Sequence, residues 1–71
     1  MISSAKKLYA LSIYSERVLN RAVEDYKGIA IIKKRRIQDK MELSFRSRYP
    51  LDTVVGEFDN YLIQLLNQNQ A

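Results

Sequence analysis

The sequence predicts a small α+β domain of order β-α-β-β-α: a three-stranded sheet with two helices packed on one face. Two segments, around Tyr9 and around Leu43, alternate apolar and polar residues with the two-residue period of a half-buried strand. Two others, Val18 to Tyr26 and Val54 to Leu66, place apolar residues at helical spacing. At 71 residues the chain has room for a single domain spanning residues 1–71.

The first strand is read over Lys7-Leu8-Tyr9-Ala10-Leu11-Ser12-Ile13-Tyr14, with Tyr9, Leu11 and Ile13 on one side. Ser15 follows as a helix N-cap, its hydroxyl placed to accept from a first-turn N–H, and Glu16 suits the positive helix start. Val18, Leu19, Ala22, Val23 and Tyr26 form the apolar stripe of this helix. Gly28 is expected to close it with a positive φ.

A second strand starts at Ile29-Ala30-Ile31-Ile32, turns basic as Lys33-Lys34-Arg35-Arg36, and runs to Ile37. Gln38-Asp39-Lys40 makes the turn of a hairpin. The third strand, Met41 to Arg48, points Met41, Leu43 and Phe45 inward and Glu42, Arg46 and Arg48 outward. Pro50 stops it, having no N–H for the ladder. Asp52 or Thr53 is expected to cap the last helix, which buries Val54, Val55, Phe58, Leu62, Leu65 and Leu66. The polar tail from Asn67 to Ala71 is expected to fray. The hairpin makes the last two strands neighbours, and the expected sheet order is 1-3-2, a ferredoxin-like arrangement lacking its final strand. One sheet face and the edge of the first strand then stay uncovered, which invites association.

Composition narrows the function. The chain has no Cys and no His, so disulfides, thiolate nucleophiles and imidazole sites for metals or proton transfer are absent. No Ser lies in a nucleophile-elbow context, and two glycines cannot build a phosphate-cradling loop. The eight acids are scattered over helix ends and polar faces. No catalytic residue, metal or cofactor is expected; the chain reads as a binding protein rather than an enzyme. No apolar run fits a secretory signal or a membrane span, and a cytoplasmic location is the expectation. Domains this small often gain stability from a partner subunit, so a homodimer through the sheet edge or open face is expected. The same edge suits a protein or peptide partner added as a strand.

Twelve Lys and Arg against eight Asp and Glu, with a pI near 9.6, favour anionic partners. Lys33, Lys34, Arg35 and Arg36, with Arg46 and Arg48, form a basic patch that gives the alternative reading, a nucleic-acid-binding hairpin. Alternation along a strand divides the four consecutive cations between two faces, so at most two share a side. A hairpin kept soluble by charge is the simpler account of the same residues. Tyr14 and Tyr49, at strand ends beside helix starts, could supply an exposed aromatic patch for a partner.

Leu11-Ser12-Ile13-Tyr14-Ser15, followed by Leu19, Ala22 and Tyr26, resembles the opening of the small His-Xaa-Ser system protein HxsD family. Gly56-Glu57-Phe58-Asp59-Asn60-Tyr61-Leu62 and Leu65-Leu66-Asn67 are similar to that family's last helix, and the two pieces cover about half the chain. The Lys-Lys-Arg-Arg strand and the Asn/Gln tail depart from its pattern. The resemblance implies a non-catalytic accessory of a ribosomal-peptide maturation system with a radical-SAM enzyme, binding the peptide, the enzyme or both. Within the matching segments Tyr14 and Asn60 are the candidate partner contacts, while Ser15 reads as a cap and Phe58 as core.

Overall fold

A computed structural model describes residues 3–69. The elements are β1 (Ser3–Ala10), α1 (Glu16–Asp25), β2 (Ile31–Ile37), β3 (Lys40–Ser47) and α2 (Leu51–Asn69). The sheet order is β1-β3-β2, with both outer strands antiparallel to β3, so the predicted α+β fold and strand order are as observed. Residues Met41, Leu43, Phe45 and Ser47 are buried in strict alternation, which defines the helix-covered face of the sheet. Val18, Leu19 and Ala22 of α1, and Phe58, Leu62 and Leu65 of α2, close the core over them. Five side chains are almost completely buried: Phe45, Phe58, Leu19, Leu43 and Leu62.

The first strand lies four residues earlier than its sequence pattern indicates. Ala10 pairs with Lys40, the first residue of β3, and beyond that point there is no partner strand. The apolar alternation of Leu11 and Ile13 therefore runs into a turn, in which the N–H groups of Ile13 and Tyr14 both donate to the Ala10 carbonyl at 3.1 and 2.9 Å. Ile13 ends up exposed, while Leu11 and Tyr14 pack against the core. Conversely the polar Ser3–Lys6 stretch is strand because Ser44–Ser47 offers it a ladder.

Ser15 caps α1 as expected, its Oγ accepting from Val18 N–H at 3.2 Å. The other end of α1 differs from expectation: Gly28 has no positive φ, and the helix stops at Asp25 with Tyr26 as its cap. Two amides, from Ile29 and Ala30, bond the Tyr26 carbonyl at 2.9 and 3.0 Å, so the chain turns without a left-handed residue. The left-handed position is instead Gln38, φ 55°, in the two-residue Gln38-Asp39 loop of the hairpin. Arg36 Nε donates to the Gln38 carbonyl at 3.0 Å and steadies that conformation.

Helix α2 begins at Leu51, two or three residues ahead of where a cap at Asp52 or Thr53 would start it. The Pro50 carbonyl accepts from Val54 N–H at 3.0 Å, so Asp52 lies inside the first turn, where its charge suits the helix dipole. The polar tail continues as helix to Asn69, and Gln70 and Ala71 lie outside the described residues.

Aromatic rings join the layers. Phe58 meets Phe45, Tyr26 and Tyr9 edge-on at centroid distances of 5.2, 5.3 and 6.1 Å. Tyr9 Oη donates to Asp59 Oδ1 at 2.7 Å, and Lys7 pairs with the other oxygen of the same carboxylate. Burial, followed by the bond to Asp59, pushes the Tyr9 phenol far above its ordinary value. Tyr26 is raised by burial and then by Glu57, and Tyr61 by its hydrogen bond to Asp25 at the end of α1.

All three phenols bind their protons more tightly in the folded chain than in the unfolded one. Their contribution is therefore complete below about pH 10 and is lost as pH rises beyond it. Urea denaturation should show a midpoint that falls between pH 8 and pH 11. Tyr9→Phe, which loses a bond to a carboxylate, should lower stability at pH 8 by roughly 1–2 kcal/mol and flatten that fall.

Candidate partner-binding surface

The register fixes which side chains share the uncovered face. Beside the outward positions Lys40, Glu42, Ser44 and Arg46 of β3 lie Ala10, Leu8, Lys6 and Ser4 of β1. On the other flank lie Ile37, Arg35, Lys33 and Ile31 of β2. This face thus carries five cations (Lys6, Lys33, Arg35, Lys40 and Arg46) against one acid, Glu42. Among the described residues none of the five is in an ion pair.

The basic run divides as alternation requires. Lys34 and Arg36 point to the helix side, where Lys34 Nζ donates to Asn20 Oδ1 at 2.6 Å and Arg36 reaches Glu16 at 3.4 Å. Lys33, Arg35 and Arg46 stay together on the open face, and Lys6 and Lys40 join them. These two lie outside the patch read from the sequence, because the register of β1 against β3 cannot be read from local periodicity.

Strand β2 is the more exposed of the two sheet edges. Every one of its residues except Ile32 is exposed, and Ile32 alone reaches the core, opposite Phe45. Its apolar ends are Ile31, 59% exposed, and Ile37, 37% exposed, with the basic stretch between them. Seven residues of strand offer about 23 Å of unpaired backbone edge.

A shallow groove of about 540 Å³ opens at the N-terminal end of β2. Ile29, Ile31, Arg46, Arg48 and Tyr49 line it, with Lys27 at its rim. Ser47, which also lines it, is buried: its Oγ donates to the Ile29 carbonyl at 3.0 Å and accepts from Tyr49 N–H at 3.1 Å. One hydroxyl thus ties the chain entering β2 to the chain leaving β3. The inward series Met41, Leu43, Phe45 already pointed to Ser47, which the sequence reading passed over.

The candidate aromatic contacts are separated. Tyr49 is 59% exposed and stands in the groove beyond the end of β3. Tyr14 follows the opposite end of the sheet, half-buried, with its ring edge-on to Tyr9 at 5.5 Å. They form no common patch. Asn60 is exposed on α2, and its side chain makes no hydrogen bond among the described residues.

Comparison with protein-family models, curated proteins and solved structures gives no match to this chain. Among the described residues no helix is long and apolar enough to cross a membrane.

Two substitutions separate the groove's frame from its surface. Ser47→Ala leaves the Ile29 carbonyl and the Tyr49 amide without their partner, and urea denaturation should show a loss of about 1–3 kcal/mol. Tyr49→Ala removes an exposed ring and should stay within about 0.5 kcal/mol of the parent.

Proposed function

We propose that this chain is a non-catalytic binding module that holds an extended polypeptide segment as an added strand along the outer edge of β2. The observation that carries the reading is the state of that edge: a strand exposed along its length, with an apolar groove at one end. Main-chain hydrogen bonds would supply affinity, and pockets for alternate side chains would supply selectivity. The resemblance to the HxsD family supplies the setting, an accessory that presents a peptide or its modifying enzyme in ribosomal-peptide maturation. Its matching residues support a shared frame: Ser15 as cap, Leu19, Ala22 and Phe58 as core. A cytoplasmic location accords with that setting.

Both edges of the sheet are free for pairing, but they differ in what they can meet. A second copy at β2 would bring two Lys-Lys-Arg-Arg strands together, and like charges directly opposite are destabilising. Two open faces, each with five cations against one acid, repel in the same way. Self-pairing at the outer edge of β1 meets less of this repulsion, two consecutive lysines (Lys6 and Lys7) in place of four consecutive cations, so a homodimer is placed there and β2 is left for the partner segment.

A tagged pull-down from native lysate, with and without nuclease, should recover a radical-SAM enzyme or short peptide that survives the nuclease. Hydrogen exchange on the recovered complex should slow the amides of Ile31–Ile37; unchanged exchange there would remove strand addition at β2. Sedimentation at rising concentration should show dimerisation that slows exchange in Ser3–Ala10 instead.

A further inference from the structure

The chemistry of β2 also selects what it can hold. On the open face the edge strand presents, in order, Ile31, Lys33, Arg35 and Ile37, each two residues from the next. An added strand places its alternate side chains beside these four. The neighbouring positions Lys34 and Arg36 face the helix side, where Lys34 donates a hydrogen bond to Asn20 and Arg36 pairs with Glu16. The unmet demand is therefore confined to every second position. We infer that the segment held by β2 is acidic, with two Asp or Glu residues two apart and an aliphatic residue two positions outside each of them. This rests on strand addition at β2 as the binding mode.

The pattern is aliphatic, any, acid, any, acid, any, aliphatic, and it reads the same in either direction. It suits a parallel or an antiparallel partner alike.

Two further features favour an acidic polypeptide over the other uses of a basic strand. Lysines on an edge often serve only to deter association. That role needs neither the exposed Ile31 and Ile37 at its two ends nor the continuation of charge across the face through Arg46, Lys6 and Lys40. Single-stranded nucleic acid is held by cations together with aromatic side chains on which bases stack. Among the described residues no strand position of the open face is aromatic: Tyr9 and Phe45 both lie in the core, and the exposed Tyr49 stands alone beyond the end of β3, not between the cations.

The test uses the full chain and three labelled peptides sharing one sequence of Val and Thr, with Glu, Gln or Lys at the two central alternate positions. Amide chemical shifts and hydrogen exchange are followed at about 50 mM salt, alongside a ten-nucleotide oligouridylate. The Glu peptide should bind roughly tenfold more tightly than the Gln peptide, slow exchange in β2, and lose its advantage as salt is raised. The double variant Lys33→Glu/Arg35→Glu, both exposed positions, should keep its circular dichroism spectrum and prefer the Lys peptide over the Glu peptide. That exchange of preference is something a mere edge guard would not produce. Equal binding of the Glu and Gln peptides with β2 protected would overturn the acidic preference and leave strand addition standing. Absence of protection in β2 with every peptide would overturn strand addition and this inference with it. Oligouridylate binding more tightly than the Glu peptide, and lost in the double variant, would assign the face to nucleic acid instead.

Discussion

The ring of Phe58 touches Tyr9 on β1, Phe45 on β3 and Tyr26 just past α1, so one side chain of α2 ties every layer of the domain. A fully buried Phe contributes on the order of 1.5–3 kcal/mol by burial, and edge-on aromatic pairs add to it. In a chain of 71 residues that is a large share of the net stability. The constraint it sets is geometric. Both helices must lie on the face where Phe45 emerges, and among the described residues no element covers the other face. The open face and the exposed edge of β2 follow from this one packing choice.

The charges follow the same division. Cations that fall on the helix side meet partners there: Lys7 with Asp59, Arg36 with Glu16, Lys34 with Asn20. Those on the open side face one another and Glu42. A formal net charge of +4 spread over the surface would say little about function. Here the open face alone holds four more cations than acids, five against one, an excess equal to that of the whole chain. The rest of the molecule is balanced.

Much of this was legible in the sequence. Helical spacing marked Val18, Leu19, Ala22 and Phe58 as core, the Ser15 cap located the start of α1, and the hairpin made β2 and β3 neighbours, with β1 expected on the far side of β3. What escaped was set by non-local pairing. The alternation of Tyr9, Leu11 and Ile13 is a strand pattern, yet the ladder ends at Ala10 because β3 begins at Lys40. Gly28 looked like the left-handed cap, but the Tyr26 carbonyl already satisfies two amides of the following turn. For the candidate surface, alternation correctly parted Lys33 and Arg35 from Lys34 and Arg36. It could not reveal that Lys6 sits across from Ser44, and so belongs to the same face.

Strand β2 gives the core a single half-buried residue, Ile32. Folding thus asks almost nothing of the other six side chains beyond compatibility with an extended backbone. A lineage could rewrite Lys33, Arg35 and their neighbours to follow a changing partner without paying in stability, while β3, with alternate residues locked in the core, stays fixed. The domain separates its folding from its recognition, which makes it a scaffold whose specificity can drift, or be redesigned, one exposed strand at a time.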